Sequence, residues 1–193
     1  MSEGIVNLTA DDTLVKDGLV FDILSQDGNT GTLSVLAGSE ELFGELNIPG
    51  AIEYKGVLYR VVCIAHCAFA DYENLTRVTI PDGVTRIGDC AFASCENLTS
   101  IMIPNSVTEI GDGAFAFCLR LTDVTIPDGI IKMGKSVFRD CCGLTSIMIP
   151  ASVTQIGERF FENCDGLRDI SVSPDNPSYS AWMGSCSIRT KPD

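Results

Sequence analysis

The one histidine of the chain, His66, sits in Cys63-Ile-Ala-His66-Cys67, and another thiol, Cys90, follows further along. Thiolate and imidazole are ligands that zinc favours, so Cys63, His66, Cys67 and Cys90 are the cluster to weigh as a metal site. A structural site needs four convergent ligands, and the reading taken is that no metal is held. The order is not the Cys-x-x-Cys-His of haem attachment, and no second paired cluster follows. His66 is also the one imidazole available as base to a Ser-His-Asp triad or a Cys-His pair. Carboxylate chemistry has its own candidates in Asp123 and Asp169, since two carboxyl groups can serve as acid and base in glycoside hydrolysis. A general acid needs surroundings that hold its proton, and the equivalent residue between these two is only Ser146. Solvated carboxylates are the simpler reading. No phosphate-cradling glycine loop of the P-loop or dinucleotide type appears.

What positions these residues is a 23-residue pattern that repeats from Leu75 to Cys164, L-x-x-[VI]-x-I-P-x-x-[VI]-x-x-[IM]-G-x-x-[AV]-F-x-x-C. Leu75, Leu98, Leu121, Leu144 and Leu167 share one column, Val78, Ile101, Val124, Ile147 and Ile170 another, and Phe69, Phe92, Phe115, Phe138 and Phe161 a third. Self-similarity at this period predicts a leucine-rich solenoid. Each coil opens on a short strand whose inward residues alternate with outward ones. Proline ends it, because it cannot donate to a ladder. A second extended piece, Val84–Ile87, leads to a corner at Gly88. Asp89-Cys-Ala-Phe-Ala-Ser94 then reads as a single helical or 3₁₀ turn that drops Phe92 into the core. Coils stack at about 4.8 Å, which puts Asp123 and Asp169 roughly 9.6 Å apart. Cys90 falls one coil beyond Cys67, in the same column. His66 falls in a column with Asp89, Asp112, Lys135 and Glu158, a surface position, and Cys63 shares a column with Arg86 and Glu109. Cys95, Cys118, Cys141 and Cys164 occupy a column that suits buried free thiols. Nine cysteines leave at least one without a partner in the chain.

The ends differ from the middle, as solenoid ends must. Leu19–Leu24 and Thr32–Leu36 read as strands about a Gln26-Asp-Gly-Asn29 turn, and Ile52–Tyr54 with Val57–Val61 as a second hairpin. Glu45-Leu-Asn-Ile-Pro49 imitates the strand-proline of a repeat, arriving early. Pro174–Tyr179 is turn-rich, and Tyr179 and Trp182 are placed to close the far end. The expected organisation is one continuous domain: residues 1–60 a β-hairpin N-terminal cap, 61–172 the repeats, 173–193 a C-terminal cap and tail. The fold class is a right-handed curved solenoid with a parallel β-sheet and short 3₁₀ or helical turns.

The unit Asn74-Leu-Thr-Arg-Val-Thr-Ile-Pro-Asp-Gly-Val-Thr-Arg-Ile-Gly-Asp-Cys-Ala-Phe-Ala-Ser-Cys95 resembles that of the BspA-type leucine-rich repeat proteins, and the resemblance runs from about Leu46 to Tyr179. It implies a non-catalytic binding surface for a protein partner, host or cell-surface proteins among them, or a glycan, on a secreted or surface-displayed bacterial protein. Met1-Ser-Glu-Gly4 lacks the basic-then-apolar segment of a secretory signal, and unpaired cysteines would also suit the cytoplasm, so the localisation stays open. A net charge of -13 opposes nucleic acid and anionic lipid, and no apolar run of about 18 residues exists to span a membrane. No cofactor is implied.

The recognition surface expected from this reading is the outward strand face. Its columns are Arg77, Ser100, Asp123, Ser146, Asp169 and Thr79, Met102, Thr125, Met148, Ser171. Exposed methionines among threonines make an adaptable contact surface. The competing readings are a purely structural spacer, in which these are small β-formers chosen for stacking, and a hydrolase using Asp123 and Asp169.

Overall fold

The computed structural model describes residues 7–8, 13–39 and 42–177. The leading strands are β1 (Asn7–Leu8), β2 (Thr13–Lys16), β3 (Leu19–Asp27), β4 (Thr30–Gly38), β5 (Gly44–Asn47), β6 (Ala51–Tyr54) and β7 (Val57–Ile64). Each of four coils then supplies two: β8 (Leu75–Thr79) and β9 (Arg86–Ile87), β10 (Ser100–Met102) and β11 (Glu109–Ile110), β12 (Asp123–Val124) and β13 (Lys132–Met133), β14 (Ser146–Ile149) and β15 (Gln155–Ile156). The last is β16 (Asp169–Val172). Tyr179 and Trp182, expected as a lid, lie outside the described residues.

The repeat period appears directly in the backbone pairing. Arg77 pairs with Ser100 and Ser100 with Asp123 in parallel strands, while Arg86, Glu109, Lys132 and Gln155 align in the second sheet. Leu75, Leu98, Leu121 and Leu144 are fully buried, one per coil. The phenylalanines stack, with centroids 5.2 Å apart for Phe69 and Phe92, 5.7 Å for Phe92 and Phe115, and 5.5 Å for Phe115 and Phe138. Their planes are nearly parallel, as the offset geometry of aromatic pairs allows.

The turn segment departs from expectation. No α- or 3₁₀-helix is found among the described residues. Instead the segment runs as overlapping turns, with Ala91 N bonded to Gly88 O, Ala93 N to Cys90 O and Cys95 N to Phe92 O. Two positions per coil are left-handed, Cys90 (φ 52) and Ser94 (φ 58) in the first coil and their equivalents in the others. A left-handed residue at each end interrupts helical dihedrals. Alternate amides, those of Cys90, Phe92 and Ser94, therefore donate to the next coil at Asp112 O, Ala114 O and Ala116 O.

Gly88, Gly111, Gly134 and Gly157 serve by their smallness. A Cβ on any of them would lie 2.4–2.6 Å from backbone atoms of the preceding coil. The corner needs close approach, not an unusual φ.

At the N-terminal end, β2, β3 and β4 are antiparallel, β4 runs parallel to β7, and β7 to β9, so these strands extend the second sheet. β6 pairs antiparallel with β7, which itself lies between β4 and β9. β5 joins the other sheet, parallel to β8, with Leu46 opposite Val78 and Asn47 opposite Thr79. Tyr72, at the cysteine position of this leading partial coil, packs edge-on against Phe69 and donates its hydroxyl to Gly38 O. At the far end Asn176 stands in the column of Val84, Val107, Ile130 and Val153. It is buried and its Nδ2 donates to Pro150 O and Val153 O at 2.8 Å each. An amide there satisfies carbonyls that the next coil would otherwise meet.

Candidate functional site

Alternation on the strand face separates inward from outward residues. Val78, Ile101 and Ile147 are buried, whereas Arg77, Asp123, Ser146 and Asp169 are exposed and Ser100 half-buried. In the neighbouring column Thr79 is half-buried, Thr125 and Ser171 are exposed, and Met102 and Met148 are each 60% exposed. The columns expected from the sequence thus lie on the outer side, but not on one unbroken sheet. β5, β8, β10 and β12 form one sheet and β14 with β16 another. Asp123 belongs to the first, and Ser146, Met148 and Asp169 to the second, with Ser146 opposite Asp169 and Met148 opposite Ser171. Thr125 falls outside β12, which ends at Val124, and Val124 is half-buried where Val78, Ile101 and Ile147 are buried.

The face also extends further than the repeat columns. β5 adds Glu45, opposite Arg77, and Asn47, opposite Thr79. Glu45 and Arg77 form an ion pair at 3.4 Å, both side chains largely exposed. The step from Asn47 to Thr79 is longer than one repeat, because the β6–β7 hairpin is inserted between them. The signal was the strand-proline pattern Glu45–Pro49 itself. With Glu45 and Arg77 paired, the remaining charges on the face are Asp123 and Asp169. Ser100 Oγ is shielded and makes no hydrogen bond among the described residues.

The thiol and imidazole group divides. Cys63 lies in β7 opposite Arg86, in the second sheet's outer column, and its Sγ donates to Ile64 O at 3.4 Å. His66 and Cys67 are exposed at the corner, with Nε2 and Sγ 3.2 Å apart. Cys90 is half-buried, one coil beyond Cys67 in the same column. Burial raises the Cys90 thiol above its ordinary value, and the neighbouring Cys67, Asp89 and Asp112 add to this. No three His, Cys, Asp or Glu side chains converge as metal ligands among the described residues.

The column thiols do more than fill space. Cys95, Cys118 and Cys141 are buried, and their Sγ atoms donate to Phe69 O, Phe92 O and Phe115 O of the preceding coil at 3.1, 3.2 and 3.1 Å. Cys164 does so to Phe138 O at 2.8 Å. Burial pushes the Cys95 thiol up to about 12 and the Cys164 thiol to about 11, and raises Cys118 and Cys141 strongly.

Asp123 and Asp169 are both exposed and stand on separate sheets. A cleft of about 520 Å³ lies elsewhere, between β3 and the β6–β7 hairpin, lined by Asp22, Gln26, Tyr54, Lys55 and Tyr59 among others. Neither carboxylate has the enclosed setting that holds a general acid protonated. No helix among the described residues is long and apolar enough to cross a membrane.

A family model described as the BspA type leucine-rich repeat region matches residues 62–183 in six copies. A leucine-rich repeat protein from Bacteroides ovatus is similar at 33% identity, with TM-score 0.73, over 81% of this chain and 40% of that one. A leucine-rich cell surface protein from Faecalibacterium prausnitzii is similar at 28% identity, with TM-score 0.73, over 84% and 43%. The chain therefore spans about two fifths of the length of these two proteins. A leucine-rich repeat protein from T. pallidum, at 21% identity and TM-score 0.63 over 97% and 95%, shares the fold. No curated protein matches.

Proposed function

The chain belongs to the BspA-type leucine-rich repeat family, and from that premise we propose that it is a non-catalytic binding module. Its strand face meets a protein partner, or a glycan, in adhesion or protein–protein interaction. Residues 1–60 act as the N-terminal cap, 61–172 are the repeats, and 173–193 are the C-terminal cap and tail. Proteins of this kind are commonly protein-binding or surface proteins, and the relative from Faecalibacterium prausnitzii bears a cell surface name.

The observation that carries the reading is the pair Met102 and Met148, each 60% exposed on an otherwise small and polar face. They stand two coils apart, about 10 Å by strand spacing. Flexible thioethers adapt to a partner's contour. Arg77, Thr79, Ser100, Asp123, Thr125, Ser146 and Asp169 supply polar contacts around them. Solenoids recognise partners on such repeated surfaces.

The test is capture of purified host proteins and glycans by the full chain and by the Met102→Asp/Met148→Asp variant. Binding lost at unchanged melting temperature supports the face. Equal binding by the variant refutes it, and no binding by either chain across the panel favours a structural spacer.

A further inference from the structure

We propose that Cys67 and Cys90 form a thiol–disulfide exchange site: Cys67 takes up a low-molecular-weight disulfide, and Cys90 resolves the adduct into a bridge between adjacent coils. The two residues occupy one corner column, one repeat apart, in which the later coils carry Gly113, Ser136 and Arg159. Both have the same left-handed backbone, φ 53 and 52. Both amides are anchored to the following coil, Cys67 N to Asp89 O at 2.9 Å and Cys90 N to Asp112 O at 2.8 Å. One coil of separation, about 4.8 Å, lies inside the Cα range that a disulfide spans.

The pair is asymmetric in the way sequential exchange requires. Cys67 is exposed, and its sulfur lies 3.2 Å from His66 Nε2. Cys90 is half-buried, and burial followed by the neighbouring Cys67 disfavours its thiolate. When Nε2 carries no proton, the imidazole accepts the Cys67 thiol proton. The thiolate attacks one sulfur of the small disulfide, whose S–S bond breaks, and the departing thiolate takes a proton and leaves as a thiol. Cys67 now carries no negative charge, so the like-charge cost at Cys90 is gone. Cys90 gives its proton to solvent and attacks Cys67 Sγ, expelling the second thiolate, which is protonated in turn. Two protein thiols are oxidised to one disulfide, and one small disulfide is reduced to two thiols.

The other described cysteines lack this arrangement. Cys95, Cys118, Cys141 and Cys164 donate to carbonyls, and burial disfavours their thiolates, which makes them poor nucleophiles. Cys142 is exposed, but its sulfur has only the long contacts to Asp140 O and Asn163 O, at 3.7 and 3.8 Å.

The experiment exposes the full chain to oxidised glutathione, blocks remaining thiols by alkylation, and maps the peptides by mass. The unaltered chain is expected to lose the Cys67 and Cys90 thiols together and to hold a Cys67–Cys90 bridge without retained glutathione. Cys90→Ser should trap one glutathione on Cys67, several-fold faster than any adduct forms on Cys142. Cys67→Ser should leave Cys90 unmodified. His66→Gln should slow the Cys67 reaction and alter its pH profile. Glutathione retained on Cys67 in the unaltered chain, with no bridge, overturns the proposal whether or not the variants fold. So does a Cys67 that reacts no faster than Cys142.

Discussion

The two sheets of the solenoid keep the same repeat register by different means. In the second sheet, β9, β11, β13 and β15 are two residues long, yet they pair without interruption from the first coil to the fourth. On the strand face the strands are up to five residues long, yet pairing lapses between β12 and β14. Leu121 and Leu144, immediately before those two strands, are nonetheless fully buried. Strand length is therefore not what orders the stack. The continuous features are the inner columns and the turn amides, which link Phe138 N to Phe160 O and Asp140 N to Glu162 O across the coils where the strand face breaks. On the proposed function, recognition and stacking are separated: the ladder side tolerates few residue types, and the strand face can vary.

If that comparison is right, the largest loss comes from the ladder. Phe115→Ala removes a fully buried ring stacked on both neighbours and should cost about 3–5 kcal/mol in urea unfolding. Gly134→Ala would place a methyl 2.4 Å from Asp112 Oδ1 and 2.6 Å from Asp112 N. A cost of about 1–3 kcal/mol is expected, measurable as a lower urea midpoint. Asn176→Ala, which takes the side-chain donor from Val153 O and leaves Pro150 O only the Val153 amide, should also cost about 1–3 kcal/mol, with faster amide exchange in the last coil.

The column thiols add a pH signature. Their native values are raised from 9.0, to about 12 for Cys95 and about 11 for Cys164. The folded chain therefore keeps protons that the unfolded chain gives up. Stability from this source is complete below pH 9 and falls as pH rises from there through 11 and 12. The urea midpoint should drop on the alkaline side, and less steeply in Cys95→Ala. The smallest effect belongs to the strand face, where Met102→Asp and Met148→Asp should each change stability by no more than about 0.5 kcal/mol. A large loss there would mean that the face also holds the stack.

Much of this was legible in the sequence because a repeat turns each position into a column. The burial of Leu98 and Phe92 and the exposure of Met102 follow from period and alternation. What was not legible depended on contacts between coils. A cysteine column reads as small and apolar, and nothing in it tells that each thiol meets the phenylalanine carbonyl of the coil before. Glycine at a corner suggests an unusual φ, whereas Gly88 and its equivalents answer to a neighbouring backbone. The single-turn helix expected at Asp89–Ser94 gave way to left-handed Cys90 and Ser94, residue types that carry no strong signal for that conformation. Glu45 and Asn47 escaped the face because an inserted hairpin shifts their register. Cys63 and His66 are near in sequence, but they project from a strand and a corner respectively.

The most direct test of the separation uses the methionines as probes. A captured partner is held on the full chain, the complex is oxidised mildly with peroxide, and sulfoxide is measured at Met102, Met148 and the buried Met133 against the free chain. The account predicts that Met102 and Met148 oxidise readily when free and are protected in the complex, with Met133 unreactive in both. Unchanged oxidation of Met102 and Met148 in a saturated complex would contradict it.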